Sequence, residues 1–346
     1  MTRVLVIGGG IIGCCIADAL AAADVDVTVL ERDRIASGSS GLAVGIVESQ
    51  YVDPGWIDLR VFARRAFDAL ADEVDIGFVR SGYLRLGYST EDAALFEGSV
   101  AHQRTLGVED ARVVGVDEIA ALVPSLRTDD VAGGLWCPSD GYVDPHLATV
   151  AFGDRARARG AVIVEGAEVV GAERRDGCWR IRTNADERTA DVVVNAAGPW
   201  APQAAALLGV TSDVSPQRRS AIQIHLATPL DGVHPFTMNY IPGVNRLGAY
   251  VRHEAADRLI CGLHSEDLLD PPSDPDDYAR GIGQDWQEEL AEQLAFRFPG
   301  LAAGMAFGEG WSGLYPCRPS REPAIGWRRD VEGVIDAVGF GGGGIQ

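Results

Sequence analysis

One glycine pattern near the start of the chain constrains the fold more than any other feature of the sequence. Residues 8–13 (GGGIIG) fit the pattern G-x-G-x-x-G and follow a short apolar strand predicted over Arg3–Ile7. A helical pattern over 12–23 comes next, and a second strand is predicted over 25–30. Strand, glycine turn, helix and strand in this order are typical of a β-α-β unit that binds a dinucleotide.

Each glycine of this pattern has a separate physical task. Gly8 permits a tight turn, Gly10 lets a pyrophosphate approach the backbone, and Gly13 lets the helix pack closely on the strand. The N–H groups of the first helical turn, including that of Ile12, carry a partial positive charge that suits a diphosphate. Glu31 follows the second strand, where its carboxylate accepts hydrogen bonds from a ribose hydroxyl pair and repels a 2′-phosphate. An NADP-type ligand is therefore disfavoured.

Three later segments favour FAD over NAD as the dinucleotide. Residues 37–47 (SGSSGLAVGIV) are small and suit contacts with a ribityl chain, and 192–200 (VVVNAAGPW) read as a buried strand that ends in small residues. Residues 339–346 (GFGGGGIQ) offer backbone amides at close range to a flat ring. The predicted cofactor contacts outside the glycine pattern and Glu31 include Arg32, Ser39, Ser40, Gly45, Ile46, Ala197, Gly198, Trp200, Gly341, Gly342, Gly343, Gly344 and Ile345.

The composition excludes several classes of partner and chemistry. The net charge of −20 disfavours nucleic-acid and anionic-membrane partners, because so acidic a surface repels phosphate groups. No run of 18 apolar residues exists and the first strand starts at once, so we expect neither a membrane span nor a secretory signal, and a cytoplasmic location. All 30 basic residues are arginine, which excludes lysine chemistry. No C-x-x-C pair occurs, so reduced thiols and no metal site are expected.

The order of the predicted elements indicates two interleaved domains in a chain of 346 residues. The predicted fold class is α/β, with a Rossmann-like FAD-binding domain interleaved with a mixed-sheet α+β substrate domain. We assign residues 1–80, 142–214 and 308–346 to the FAD-binding domain, and residues 81–141 and 215–307 to the substrate domain. Further predicted elements are helices over 56–75, 115–123, 146–159 (with Asp144 as N-cap) and 284–297, and strands over 82–87, 161–164, 191–195 and 333–338, with a Pro/Asp-rich stretch over 270–277.

Nearly the whole chain resembles the D-amino-acid oxidase / glycine oxidase / sarcosine oxidase superfamily, and is most similar to the sarcosine oxidase beta-subunit type. The resemblance implies hydride transfer from the C–N bond of an amine or amino acid to FAD, with an imine as product. It also implies that Val169 contacts adenine, that Ala197 and Gly198 lie near the cofactor, and that the terminal loop contacts the isoalloxazine. The motifs that carry it are SGSSGLAVGIV (37–47), GYLRLG (82–87), CPSDGYVDPHL (137–147), VVNAAGPWA (193–201), YVRHEAADRLICGLHSE (250–266), WSGLYPCRPSREPAIG (311–326) and GFGGGGIQ (339–346).

Two departures from the superfamily concern how the flavin is held. Where monomeric sarcosine oxidase has a flavin-linked cysteine, this chain has Gly313, and the loop 37–45 contains no histidine for a link. We therefore expect non-covalent FAD, with Cys317 as the remaining candidate for a covalent link. Superfamily members usually continue past the position of Gln346 with another helix, so we expect either a truncated chain or a loop that ends freely.

Other departures concern the substrate. The arginine of the G-[FL]-R-P pattern, which binds a carboxylate in D-amino-acid and glycine oxidases, is replaced by Tyr315. The anion-binding lysine of the terminal loop is replaced by Gln346, and the loop histidine by Gly343. Candidate substitutes for the anchor are Arg252, Arg219 and Arg318. The predicted catalytic residues are Tyr240, Tyr250, His264, Tyr315 and Arg252, with His264 as the candidate cation for oxygen activation because the chain has no lysine.

Two other hypotheses stay open at this point. Related families oxidise 2-hydroxy acids or polyol phosphates, so the substrate could carry a C–OH bond in place of a C–N bond. The resemblance to a beta subunit also allows a flavin-binding subunit that needs a partner for activity, or a homo-oligomer. Under each of these hypotheses, the expected substrate is a small molecule.

Overall fold

The fold is described from a computed structural model, which describes residues 2–245, 247–264 and 273–346. The β-strands are β1 (Arg3–Ile7), β2 (Asp26–Leu30), β3 (Ile46–Val47), β4 (Tyr83–Gly87), β5 (Arg112–Val114), β6 (Gly133–Cys137), β7 (Gly141–Tyr142), β8 (Val162–Val164), β9 (Val169–Arg175), β10 (Cys178–Thr183), β11 (Glu187–Ala190), β12 (Val192–Asn195), β13 (Ser215–Leu226), β14 (Phe236–Met238), β15 (Gly248–Ala255), β16 (Arg258–His264), β17 (Met305–Cys317), β18 (Ala324–Trp327) and β19 (Val334–Val338). The α-helices are α1 (Ile11–Ala22), α2 (Pro54–Glu73), α3 (Thr90–Thr105), α4 (Val116–Leu122), α5 (Pro145–Ala158), α6 (Ala201–Leu207), α7 (Gln284–Arg297) and α8 (Pro299–Ala302). Short 3-10 segments lie at Ser39–Leu42, Gly198–Trp200 and Gly341–Gly343.

A six-stranded sheet contains the N-terminal β-α-β unit and has the strand order β18-β19-β12-β1-β2-β8. β1 pairs in parallel with β2 and β12, whereas β18 runs antiparallel to β19 at the edge. Side-chain alternation along β1 directs Val4 and Val6 toward α1 and α5. Leu5 and Ile7 point the other way, toward the three-stranded antiparallel sheet β11-β10-β9. The sheet is therefore covered on both faces.

An eight-stranded mixed sheet has the order β17-β13-β16-β15-β14-β4-β6-β5. Its strands pair antiparallel except for β14 and β4, which are parallel. Leu84 and Leu86 of β4 pack into a core with residues of α4 and α7. Tyr83 belongs to a separate aromatic cluster with Phe236 and Tyr250. One face of this sheet is thus closed by helices, and aromatic side chains occupy the other.

The predicted fold class is confirmed by these sheets, because one is parallel except for its edge strand β18 and the other is mixed. The six-stranded sheet draws on residues 3–30, 162–164, 192–195 and 324–338, and the eight-stranded sheet on strands within 83–137, 215–264 and 305–317. The division into two domains stays a prediction, and its boundary at residue 308 falls inside β17. Residues 270–272 of the Pro/Asp-rich stretch lie outside the described residues.

Helix starts follow local sequence signals. Asp144 caps α5 by accepting a hydrogen bond from Leu147 N at 2.9 Å, as predicted. Helix α3 is not among the predicted elements, although Ser89 and Asp92 form a reciprocal capping box at its start. None of the helices in the described part of the chain has the length and apolar character needed to cross a bilayer.

A buried ion cluster joins the two helices that cover the six-stranded sheet. Asp18 of α1 is 6% exposed, although α1 is otherwise composed of apolar and small residues. Arg155 of α5 pairs with it at 2.9 Å, and Arg159 pairs with it at 2.7 Å. A buried carboxylate needs such partners, and this one fixes α5 against α1.

The Asp144 cap gives a stability prediction. Asp144→Ala should lower the free energy of unfolding by about 1 kcal/mol, because an N–H of the first turn of α5 loses its acceptor. Equilibrium urea unfolding with equal FAD in all samples measures the difference. Asp154→Ala, an exposed position on the same helix, should change the free energy by less than about 0.5 kcal/mol. Equal losses for both variants would contradict the capping role.

Candidate functional site

A cavity of about 490 Å³ is lined by residues from both large sheets and brings together almost every predicted site residue. Among the predicted residues, Gly13 and Arg252 are outside the lining. The predicted residues that line the cavity are Gly8, Gly10, Ile12, Glu31, Arg32, Ser39, Ser40, Gly45, Ile46, Val169, Ala197, Gly198, Trp200, Tyr240, Tyr250, His264, Tyr315, Gly341, Gly342, Gly343, Gly344 and Ile345.

The first glycines form a cradle that side chains would fill. A Cβ on Gly13 would lie 1.9 Å from Gly8 O, so α1 approaches β1 more closely than any other residue allows. Gly8 has a φ of +110°, and a Cβ there would lie 2.5 Å from Ala196 O. A Cβ on Gly10 would meet only the Ser40 hydroxyl, at 3.1 Å. The space above Gly10 therefore opens to the cavity, as close approach of a diphosphate requires.

The start of α1 supplies donors to the same place. The first helical hydrogen bond runs from Cys14 N to Gly10 O, so the earlier N–H groups are available to other acceptors. Ser40 Oγ accepts from Ile11 N at 2.9 Å. No acidic residue lies in the first turn of this helix, although the chain is strongly acidic. The positive end of the helix dipole is thus kept for an anion.

Glu31 is held by the backbone at the end of β2. Its two carboxylate oxygens accept from Gly9 N at 2.7 Å and from Asp33 N at 2.8 Å. Burial raises the pKa of this carboxyl, while those two amide bonds act against the rise. Each oxygen keeps a second lone pair, so the group still has acceptor capacity for ribose hydroxyls.

Arg32 and Trp200 form a stacked pair beside Glu31. The Arg32 guanidinium carbon lies 4.8 Å from the centroid of the Trp200 ring. Asp276 accepts from both side chains, each at 2.8 Å. These hydrogen bonds place Asp276 near Glu31, the predicted ribose-binding residue. The sequence around Asp276 does not predict that position.

The terminal loop packs against aromatic rings and an arginine. A Cβ on Gly342 would lie 2.9 Å from Tyr315 Cε2 and 3.1 Å from His264 Cε1. A Cβ on Gly343 would lie 3.0 Å from the Trp56 ring and 3.5 Å from Arg60 Nη2. Glycine in this loop therefore leaves room for side chains that come from β16, β17 and α2.

Gln346 anchors the end of this loop to the chain. Its Oε1 accepts from Glu48 N at 2.9 Å, and its Nε2 donates to Glu48 O at 2.6 Å and to Arg60 O at 2.9 Å. The amide is 8% exposed. A neutral amide at this position binds backbone of the residues that line the cavity, where the superfamily pattern has a cationic lysine.

Three tyrosines that were predicted as pocket groups are brought to one region. Tyr240 contacts His264 edge-to-face with ring centroids 4.9 Å apart. Burial raises the pKa of Tyr315 and raises that of Tyr250 well above its usual value. Both hydroxyls therefore stay protonated at neutral pH and are able to donate hydrogen bonds.

His264 lines the cavity, and its surroundings do not support the hypothesis that it supplies a cation at neutral pH. Burial lowers the pKa of this imidazole to about 3, and the charges of Arg85, Arg219 and Arg60 lower it further. A group with that pKa is neutral throughout the physiological range. The positive charges of the cavity belong to the arginines instead.

The three candidate carboxylate anchors have different surroundings. The Arg252 guanidinium lies 4.0 Å from the centroid of the Tyr142 ring and pairs with Glu254 at 2.9 Å. Since Arg252 is also outside the cavity lining, its placement does not support a role as substrate anchor or catalytic residue.

Arg318 and Arg219 both line the cavity. Arg318 donates through Nε and Nη2 to the two oxygens of Asp213, at 2.7 and 3.1 Å, so its fork already holds a carboxylate. The Arg219 guanidinium carbon lies 5.7 Å from the centroid of the Tyr315 ring.

A further group of lining residues was missed from the sequence, and its charged members are Glu48, Arg60 and Arg85. Arg85 is 2% exposed on the strand GYLRLG, where an arginine among apolar residues is the available signal. Arg60 follows Trp56 by four residues on α2, so both face the same way. Glu48 comes directly after the predicted cofactor loop. The aromatic members of the group are Tyr51, Trp56 and Tyr83.

Comparison with known proteins agrees with this geometry. Residues 3–346 match the family model described as "DAO: FAD dependent oxidoreductase". The chain is similar to glycine oxidase of Geobacillus kaustophilus (strain HTA426), with 25% identity over 99% of this chain and 88% of the relative. It is 30% identical to the mitochondrial dimethylglycine dehydrogenase of Rattus norvegicus over 61% of this chain, but spans only 25% of that protein.

The solved structures lead to the same family. The L-proline dehydrogenase from P. horikoshii superposes with a TM-score of 0.86 at 27% identity, covering 99% of this chain and 89% of that one. The predicted superfamily and the predicted cofactor are both confirmed. The chain belongs to the DAO family of FAD-dependent oxidoreductases.

Proposed function

We propose that this chain oxidises the C–N bond of a secondary or N-methyl amine, or of a small amino acid, and gives an imine. When bound, FAD supplies the acceptor for the hydride that leaves the carbon next to nitrogen. The observation that carries the proposal is one cavity in which a dinucleotide cradle adjoins an aromatic pocket with arginines and a neutral histidine. The task of the protein is to position the substrate and to set its charge state.

The backbone at both ends of the cavity would hold FAD without a covalent bond. Gly10 and the start of α1 suit the diphosphate, Glu31 suits the ribose, and the loop at 341–344 suits the isoalloxazine. At Gly313 there is no side chain to form a link, and a Cβ there would lie 3.3 Å from the Leu42 side chain. Cys317 also lines the cavity, so it is the candidate residue for a covalent bond to the flavin.

The arginines favour the reactive form of an amine. Hydride leaves the carbon readily only when the neighbouring nitrogen has a lone pair, so the substrate amine has to be neutral. Arg60, Arg85 and Arg219 are the charges that lower the pKa of His264, and the same field would favour the neutral form of an amine bound beside it. The protonated tyrosines then serve as hydrogen-bond donors that orient the substrate.

The same electrostatics disfavour the alternative in which a hydroxy acid or a polyol phosphate is oxidised. Removal of a hydroxyl proton needs a base whose pKa is near the working pH. His264, with a pKa of about 3, is too weak a base for this task. An amine that enters the pocket already neutral needs no such base.

Anaerobic reduction of the bound flavin separates the substrate classes. We expect sarcosine, L-proline or another secondary amino acid to bleach the flavin, and L-lactate and glycerol 3-phosphate to leave it oxidised. Bleaching by the hydroxyl compounds alone would contradict the proposal. A chain that is reduced by neither class until a second protein is added would favour the hypothesis of a subunit that needs a partner.

Tyr315→Phe tests the donor role of the tyrosines. Loss of one hydrogen bond worth about 1 kcal/mol in the transition state should slow anaerobic flavin reduction about 5-fold. Tyr240→Phe and Tyr250→Phe are measured in parallel. Tyr88→Phe is the control, because Tyr88 is outside the cavity lining. Rates within experimental error of wild type for all three pocket variants would exclude a role for these hydroxyls.

The pH dependence of flavin reduction tests the neutral state of His264. Since its pKa is about 3, the imidazole does not titrate between pH 5 and pH 9. The rate should therefore rise with pH only as the substrate amine deprotonates, and His264→Asn should leave the position of that inflection unchanged. An inflection near pH 6.5 that disappears in His264→Asn would show an ordinary histidine pKa instead.

A further inference from the structure

In the cavity, the positive charges around Glu48 outnumber its single negative charge. This carboxylate is 5% exposed and is shared between two arginines. Arg60 Nη1 lies 2.5 Å from one oxygen, and Arg85 Nη2 lies 3.4 Å from the other. Two guanidinium groups and one carboxylate leave one net positive charge in a largely buried place.

Arg85 is already committed to groups of the protein. Its Nη1 donates to Tyr240 O at 2.5 Å, and its Nη2 donates to Tyr83 Oη at 2.9 Å as well as to Glu48. At 2% exposure it has little surface left for a ligand. Arg85 therefore acts as a support that fixes Glu48 and the backbone at Tyr240.

Arg60 has fewer protein partners than Arg85, and its side chain is more exposed, at 11%. In the part of the chain that the structure describes, the hydrogen bond of its side chain is the one from Nη1 to Glu48. Its guanidinium carbon lies 4.7 Å from the centroid of the Tyr51 ring and 5.4 Å from that of Trp56, which holds it in one orientation. Nη2 is the atom that approaches Gly343 in the terminal loop. Arg60 therefore presents an ordered cationic donor to the cavity.

Arg60 lies beside the terminal loop, which lacks both a side chain at Gly343 and a positive charge at Gln346. Gly343 has no side chain, and the space beside it is used by Arg60 and Trp56. Gln346 is neutral and donates to Arg60 O, so it fixes the backbone from which the guanidinium extends. The charge of Arg60 also acts on both neighbouring groups: it adds to the lowering of the pKa of His264 and opposes the rise that burial causes in the pKa of Tyr315. The guanidinium is thus close to the groups that would surround a substrate.

We infer that Arg60 is the specificity-determining residue that binds a carboxylate of the substrate, which is therefore an amino acid and not a simple amine. The inference rests on the proposed function, because it names the substrate class of the same cavity. Glu48 and Arg85 position the Arg60 guanidinium, and the Tyr51 and Trp56 rings limit its movement. Planar N–H groups that extend from a fixed guanidinium match the geometry of a carboxylate.

The test uses the FAD-loaded protein and two small probes of the same shape, 2-furoate with a carboxylate and furfuryl alcohol without one. Binding is followed by the perturbation of flavin absorbance, which requires no turnover. Arg60→Gln should weaken 2-furoate binding by roughly 10- to 100-fold, the loss expected for a charge-assisted hydrogen bond. Binding of furfuryl alcohol should stay within about 2-fold, because that probe makes no ion pair.

Three further variants keep the test interpretable. Arg60→Lys retains the charge without the planar fork and should give an intermediate affinity for 2-furoate. Arg65→Gln is the matched control on α2, since Arg65 is exposed and donates to Leu106 O. Arg219→Gln removes the other cation near Tyr315 and should affect 2-furoate less than Arg60→Gln does. FAD content and melting temperature are compared for every variant.

The outcomes either support or overturn the inference. Selective loss of 2-furoate binding in Arg60→Gln, with FAD retained, supports it. Unchanged 2-furoate binding in Arg60→Gln overturns it, as does a larger loss in Arg219→Gln or an absence of 2-furoate binding to wild type. The titration measures binding only, so it gives a result even if the chain does not oxidise amines. If Arg60 does not bind the carboxylate, the proposed oxidation of an amine is unaffected.

Discussion

The structure depends on the contact between the backbone of Gly13 in α1 and that of Gly8 after β1. With 1.9 Å between Gly8 O and the position of a Gly13 Cβ, any side chain would push the helix away from the strand. That displacement would move the N-terminal N–H groups of α1 away from the cavity and change the turn in which Gly9 N donates to Glu31. The proposed recognition of the diphosphate and of the ribose therefore depends on one close packing of backbone on backbone.

A second constraint is the distribution of charge. The chain carries a net charge of −20, yet arginines line the inner part of the cavity, and the buried carboxylate of Glu48 is paired with two of them. An acidic surface would disfavour polyanions, while the arginines of the interior would favour the one small anion proposed as the substrate carboxylate. Burial lowers the pKa of His264, and the same arginine charges lower it further. In the proposed function, one arginine cluster therefore acts both on the charge of the bound substrate and on the protonation state of His264.

Much of the cofactor site could be predicted from the sequence, because its residues are adjacent in the chain. The GGGIIG turn, Glu31 and the terminal glycines are recognised from local spacing, and all of these except Gly9 and Gly13 line the cavity. The substrate end could not be predicted in this way. Arg60 looks like a surface residue of an amphipathic helix, and only the packing of α2 against the terminal loop brings it inside. The low pKa of His264 follows from its burial and from arginines of β4, α2 and β13, which are distant in sequence, so local spacing gives no sign of it.

The central claim is that backbone cradles at both ends of the cavity hold FAD without a covalent bond. The most direct measurement is the absorption spectrum of the purified protein before and after acid precipitation, together with the ratio of flavin to chain. The account predicts about one FAD per chain, released entirely into the supernatant as the fold is lost. Yellow colour that stays with the precipitate would show a covalent link and implicate Cys317. A folded chain that neither contains nor takes up flavin would contradict the account as a whole.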